Sequence, residues 1–214
     1  MTDLTFYTHP MSRGQTIRWM LEEVGEPYET ELLDYGTTMK AEPYLSINPM
    51  GKVPTIKHGD KVVTEVAAIC CYLADAFPHA GLAPPPAERA DYYRWIFFTS
   101  GPIEAAFSNK AAGWEPTPER QRMFGYGNYE TAIRNLEACL ASRPYISSGR
   151  FTAADLFVGA NVNFMLQFKL LDPTPVFTEY AARITDRDAF RRARDIDGKL
   201  IAEMQARQEP ANAQ

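Results

Sequence analysis

The stretch Val53-Pro54-Thr55-Ile56-Lys57-His58-Gly59-Asp60-Lys61-Val62-Val63-Thr64-Glu65-Val66-Ala67-Ala68-Ile69 decides how the first third of the chain folds. Its two runs, Val53 to Lys57 and Lys61 to Thr64, contain β-branched residues and flank His58-Gly59-Asp60, so they read as a β-hairpin with a glycine-containing turn. Ile69, Tyr72, Leu73 and Ala76 then mark one face of a helix that stops before Pro78. A hairpin feeding directly into a helix is the closing half of a mixed α/β unit.

The opening half lies upstream. Leu4-Thr5-Phe6-Tyr7 alternates and carries aromatic and β-branched residues, which predicts a short strand ended by Pro10. From Ser12 to Val24, Ile17, Met20, Leu21 and Val24 fall at helical spacing, Ser12 occupies the expected N-cap, and Gly25 stands where a helix C-terminal glycine belongs. Tyr28 to Leu33 reads as a second strand, and Asp34 to Pro49 as loop with a short helix. The predicted order is β-α-β-(α)-β-β-α.

Downstream, Pro78 to Ala87 holds four prolines and a glycine, a density that neither continues a helix nor joins a sheet. The expected division is a first domain at 1–78, a linker at 79–87 and a second domain at 88–214. In the second, helical periodicity dominates over Asp91 to Phe107 with a kink at Pro102, Glu119 to Leu140, Ala153 to Leu170 and Phe177 to Arg207. Thr152 to Asp155 has the spacing of an N-terminal capping box before the apolar run Leu156-Phe157-Val158. Residues 208–214 are small or polar around Pro210 and are expected to fray.

Composition narrows the function. A formal charge of −5 with scattered basic residues supplies no positive face for a phosphate backbone, so nucleic acid is not an expected partner. No apolar run approaches the ~20 residues that cross a bilayer, and Met1 to Tyr7 lacks the basic start and apolar stretch of a secretory signal, so neither membrane nor export is expected. Cys70, Cys71 and Cys139 contain no CxxC, and His9, His58 and His79 lie far apart, so the expectation is a reducing, cytoplasmic setting and no metal.

Three segments carry chemistry. Tyr7-Thr8-His9-Pro10-Met11-Ser12-Arg13-Gly14 turns from a strand into a helix start, whose free amides and partial positive charge favour an anion such as a thiolate. Ser12 adds a hydroxyl there, although the same hydroxyl also reads as a simple cap. In Asn48-Pro49-Met50-Gly51-Lys52-Val53-Pro54, a proline entering a strand suggests a special backbone, and a cis Val53–Pro54 bond would turn the Val53 amide and carbonyl outward. Thr64-Glu65-Val66-Ala67-Ala68-Ile69 opens a second helix whose amides face a carboxylate.

These segments resemble the cytosolic glutathione S-transferase family. The likeness runs through Phe6-Tyr7 to Arg13-Gly14, Ile17-Arg18-Trp19-Met20-Leu21-Glu22-Glu23, Asn48-Pro49 to Val53-Pro54, Glu65 to Leu73, and Gly149-Arg150-Phe151-Thr152-Ala153-Ala154-Asp155. It implies a thioredoxin-like N-terminal domain followed by an all-α helical C-terminal domain, and a homodimer. It also implies glutathione as co-substrate: Val53, beside Pro54, pairs its backbone with the cysteinyl part, Glu65 and Val66 hold the γ-glutamyl end, and Lys40 and Lys52 face the glycyl carboxylate. Family members usually carry serine after the glutamate, where this chain has Val66.

The family activates the thiol with tyrosine, serine or cysteine near the end of the first strand. No cysteine precedes Cys70, Tyr7 approximates the tyrosine classes, and Pro10-Met11-Ser12 is similar to the serine-type bacterial members, so Ser12 is favoured over Tyr7, with Arg13 as a further positive charge. Phe107, Trp114 and Phe164 are candidates for the hydrophobic substrate. The implied activity is conjugation of the glutathione thiolate to small hydrophobic electrophiles in detoxification. Glutathione-dependent peroxide reduction or isomerisation, and a non-catalytic transferase-like interaction module, are the alternatives.

Overall fold

The computed structural model describes residues 3–208; most of the C-terminal stretch expected to fray lies outside the described residues, although Gln208 itself closes a helix. Packing divides the chain into two compact units. One runs through Ala80 and takes up the chain again from Asp186; the other is Gly81–Thr185.

The first unit is built on a four-stranded sheet of order β2-β1-β3-β4, where β1 is Leu4–Thr8, β2 Glu29–Leu32, β3 Thr55–His58 and β4 Lys61–Thr64. β2 lies parallel to β1, as a crossover through helix α1 (Gly14–Val24) requires, while β3 runs antiparallel to β1 and β4 to β3. Alternation along β1 sends Phe6 to one face and Tyr7 to the other. On the Phe6 face, Arg18 of α1 stands over the Phe6 ring at 5.0 Å. His58, paired with Leu4, there meets the hydroxyl of Tyr72 on α3 (Val66–Ala76) at 2.9 Å. On the Tyr7 face, the short helix α2 (Tyr44–Ile47) sets Tyr44 against Tyr7, ring centres 5.6 Å apart. This is a thioredoxin-like arrangement, and the predicted element order stands.

One local expectation changes. Helix α1 begins at Gly14, with Arg13 as N-cap, so Ser12 lies just outside the helix; it still accepts the Gly14 amide at 2.9 Å. Gly25 ends the helix as expected, left-handed at φ 78° with its amide on the Leu21 carbonyl.

The last helix, α9 (Asp188–Gln208), clusters with this unit although it follows the helical region in sequence. Phe190 packs edge-on against Trp19 at 4.9 Å, and Arg187 clasps the Glu23 carboxylate through two nitrogens, at 2.6 and 2.8 Å.

The second unit is helical throughout its regular structure: α4 (Ala90–Phe98), α5 (Glu104–Ala112), α6 (Tyr129–Ser142), α7 (Ala153–Gln167) and α8 (Pro175–Thr185). Between α4 and α5 the chain stays helical through one wide π turn, Thr99–Ile103, which accommodates Pro102 where a kink is expected. The helix expected from Glu119 starts only at Tyr129, because the Asn128 side chain caps it by accepting the Thr131 amide at 2.8 Å. The single helix expected over Phe177 to Arg207 is two, parted at Asp186 and Arg187.

The capping box at α7 is present. Asp155 sits at its centre, fully buried, with Oδ1 accepting the Ile146 amide at 2.7 Å and the Tyr180 hydroxyl at 3.1 Å. Its Oδ2 accepts the Thr152 amide and hydroxyl, both at 3.0 Å. Burial outweighs these donors and pushes the carboxyl up to about 6.

Candidate functional site

The sheet register gathers the three segments singled out in the sequence. Tyr7 pairs with Thr55, and Thr55 with Thr64, so one row crosses β1, β3 and β4 at the same edge. With neighbouring strands about 4.8 Å apart, the row is about 10 Å wide. The turn to Ser12 leaves beyond Tyr7, Val53 and Pro54 enter before Thr55, and Glu65 follows Thr64. The helix starts of α1 and α3 therefore open from the same edge as the Val53–Pro54 segment.

At the first helix start, the chain folds back on itself. The Ser12 hydroxyl donates to the His9 carbonyl at 2.6 Å while its oxygen accepts the Gly14 amide. The Met11 amide donates to His9 Nδ1 at 3.2 Å, so the buried imidazole is neutral and carries its proton on Nε2, in keeping with burial holding its pKa low. Gly14 admits no substituent, because a Cβ there would lie 1.9 Å from Thr8 Oγ1. Tyr7 itself has its hydroxyl pKa raised, first by burial and then by Glu31 and Tyr44, which is unfavourable for a phenolate and keeps it a neutral donor.

The second segment is organised by a side chain that the sequence offered only as part of a motif. Asn48, buried, donates through Nδ2 to the Lys52 carbonyl at 2.8 Å and to Thr55 Oγ1 at 3.2 Å, and accepts the Met50 amide on Oδ1 at 3.1 Å. Tyr44 reinforces it, donating to the Lys52 carbonyl and meeting Thr55 Oγ1. Gly51 is left-handed at φ 55°, and a Cβ there would press the Met39 carbonyl at 2.8 Å. The Val53–Pro54 bond is cis, as is Glu42–Pro43. Lys40 joins this loop by donating to the Met50 carbonyl at 3.1 Å, and Lys52 is exposed.

Glu65 caps α3 from a positive φ of 67°, a conformation that a non-glycine residue seldom takes, and Val66 is the first residue of that helix. Phe107, Trp114 and Phe164 belong to the helical unit. Phe107 is buried with its ring 6.2 Å from that of Phe164, whereas Trp114, beyond the end of α5, is 74% exposed. Among the described residues no group of histidine, cysteine and carboxylate side chains is placed to hold a metal, and no helix is long and apolar enough to cross a membrane.

Comparison with known proteins matches residues 11–76 to the family model described as the glutathione S-transferase N-terminal domain. Glutathione S-transferase A of Pleuronectes platessa is 29% identical over 207 residues, covering 85% of this chain and 91% of that protein. Protein LigF of Sphingobium sp. (strain NBRC 103272 / SYK-6) is 46% identical over 178 residues, covering 64% of this chain and 66% of LigF. Among solved structures, the theta class glutathione S-transferase of Xanthomonas axonopodis pv. citri with glutathione bound superposes with a TM-score of 0.69 and 28% identity, covering 90% of this chain and 97% of that one.

Proposed function

Because the chain belongs to the glutathione S-transferase family and is a glutathione transferase, we propose that it conjugates the glutathione thiolate to small hydrophobic electrophiles, with Ser12 as the residue that activates the thiol. The observation that carries this reading is the row Tyr7–Thr55–Thr64, which brings a hydroxyl at one helix start, a cis-proline loop and a second helix start to one sheet edge.

Glutathione lies along that edge. The Val53 amide and carbonyl pair with its cysteinyl peptide unit, the Glu65 and Val66 end of α3 receives the γ-glutamyl carboxylate, and Lys40 and Lys52 face the glycyl carboxylate. The thiol then comes to the start of α1. There Ser12 releases the His9 carbonyl and turns its O–H to sulfur, while the Gly14 amide keeps polarising the serine oxygen. The thiol proton leaves to solvent, and the sulfur attacks the electrophilic carbon as its leaving group departs.

The magnitudes suffice. Lowering a thiol pKa of ~8.5 by ~2 units takes ~2.7 kcal/mol of selective thiolate stabilisation. A hydrogen bond to a charged group supplies about 1.5 to 3 kcal/mol and a helix terminus about 0.3 to 1 kcal/mol. The setting is cytoplasmic and the assembly a homodimer, to which the exposed Tyr93 and Phe97 on α4 offer apolar surface.

The test is the rate of glutathione conjugation to a chromogenic aryl halide across pH, for the intact protein, Ser12→Ala and Tyr7→Phe. Loss of rate or a raised apparent pKa in Ser12→Ala alone supports the serine mechanism; the same effect in Tyr7→Phe alone transfers the role to Tyr7. No conjugation by the intact protein, with no heat of glutathione binding, would leave an interaction module that has lost catalysis.

A further inference from the structure

The helical unit holds a second pocket. Phe107, Lys110 and Ala111 of α5, Tyr129 at the start of α6, and Lys169, Leu170 and Asp172 beyond α7 enclose a cavity of about 180 Å³. A cavity of roughly 150 Å³ holds one benzene molecule, so the space fits one six-membered ring with a small substituent. Its walls are matched to that shape. Phe107 and Tyr129 supply aromatic surface, and Tyr129 is fixed by donating its hydroxyl to the Leu170 carbonyl.

The lining also carries charge. Lys110 Nζ stands 3.6 Å from the centre of the Tyr129 ring and only loosely pairs with Glu130, at 3.9 Å. Lys169 occupies the left-handed position after α7, at φ 56°, where glycine is favoured. A lysine kept there places a second ammonium on the lining, and among the described residues no ion pair holds it. The lining thus carries two ammonium groups and one carboxylate, Asp172, while Glu130 and Glu115 act on Tyr129 from outside the lining.

We propose that this pocket binds a monocyclic aromatic carboxylate, its ring between Phe107 and Tyr129 and its carboxylate between Lys110 and Lys169. The site is built by the helical unit alone and does not need glutathione. Binding is governed by one negative charge next to one ring, so a neutral analogue of the same shape loses the charge-assisted bonds.

The experiment is calorimetric titration of the full-length protein, without glutathione, by benzoate and by benzamide, repeated with Lys110→Met and Lys169→Met. Benzoate is expected to bind saturably, benzamide about tenfold more weakly, and each lysine variant to weaken benzoate about tenfold while leaving benzamide unchanged. An unaltered melting temperature in the variants excludes a folding defect. The proposal is overturned if benzoate gives no saturable binding, if benzamide binds equally well, or if both lysine variants keep the benzoate affinity. Because glutathione is absent from the titration, failure of the transferase reading leaves this result interpretable.

Discussion

Arg18 and Asp197, 179 positions apart, form a buried ion pair in which Arg18 Nε donates to Asp197 Oδ1 at 3.1 Å. The rest of the guanidinium lies between the Phe6 and Tyr28 rings and donates to Thr30 Oγ1 at 2.8 Å and to the Tyr28 hydroxyl at 3.3 Å. One side chain thereby ties α1, the β2 edge and α9 together. Removing only the carboxylate would strand a charge that burial has stripped of water.

Asp197→Ala is therefore expected to cost about 3 to 5 kcal/mol of unfolding free energy, the usual penalty for breaking a buried pair from one side. Replacing both partners with apolar residues of similar size, Arg18→Met with Asp197→Leu, is expected to cost much less. Urea denaturation of the single and double variants measures the difference. A single variant as stable as the parent would show that the pair contributes nothing to docking α9.

Asp155 sets a pH dependence whose sign is fixed by its environment. Its carboxyl rises from 3.8 to about 6 on folding, so the folded state holds the proton more tightly than the unfolded chain. This group's contribution is greatest below about pH 4 and falls as pH rises to about 6, by about 3 kcal/mol for a shift of ~2 units. Asp197, also raised by burial, acts in the same direction. In Asp155→Asn the titration is gone, so the stability difference between parent and variant is expected to change between pH 4 and 6 and to be level above it. Urea midpoints taken across that range test this, and parallel profiles would refute it.

Much of this architecture was legible in the sequence, and the exceptions share a cause. The hairpin, α1 and the capping box are local: β-branched runs around Gly59, the spacing of Ile17 to Val24, and Thr152 to Asp155 each carry their own signal. The placement of α9 is not local, because Arg18 and Phe190 reveal nothing of each other until the chain has folded. The late start of α6 turned on the Asn128 cap, which periodicity across Glu119 to Tyr129 conceals. Among the candidate site residues, Ser12 and Val53 stand out by motif. Asn48 was quoted within its motif without a role, since its work is to hold other backbone groups.

Gly14→Ala tests the closest approach in the site. Alanine normally stabilises a helix relative to glycine, by roughly 0.5 to 1 kcal/mol, but here the new Cβ would fall 1.9 Å from Thr8 Oγ1. The variant is expected to lose about 1 to 3 kcal/mol through overpacking and to lower the conjugation rate by displacing Ser12. Thr8→Ala in the same chain removes that contact and is expected to restore part of the stability, but less of the rate, because the new Cβ would still lie 2.9 Å from Ser12 Oγ. Denaturation midpoints measured beside the rates would sink the argument if the double variant were no more stable than the single one.

Asn48→Ala removes the one side chain that bonds the Lys52 carbonyl, Thr55 and the Met50 amide at once. Tyr44 still holds the Lys52 carbonyl and Thr55 Oγ1, so the Met50 amide is the group left unmatched, at about 1 to 3 kcal/mol, and the Val53 backbone loses part of its support. Glutathione affinity is expected to fall about tenfold, a change of ~1.4 kcal/mol, with the pKa of the bound thiol unaltered because Ser12 is untouched. Calorimetry and the pH profile of conjugation separate these two effects. A shifted pKa with unchanged affinity would mean that Asn48 acts on the thiol end instead.

Val66 offers the converse test, a gain. As the first residue of α3 it presents its amide at the edge where we propose that the γ-glutamyl carboxylate binds, but it has no hydroxyl to add. Val66→Ser supplies one, and serine is also well tolerated in a first helical turn. A hydrogen bond to a charged carboxylate, about 1.5 to 3 kcal/mol before the cost of ordering the side chain, sets the scale. Glutathione is expected to bind about five- to tenfold more tightly, with little change in the rate at saturation because the hydroxyl stands at the far end from sulfur. Calorimetric affinity that stays at the parent value would place the γ-glutamyl end elsewhere than at Glu65 and Val66.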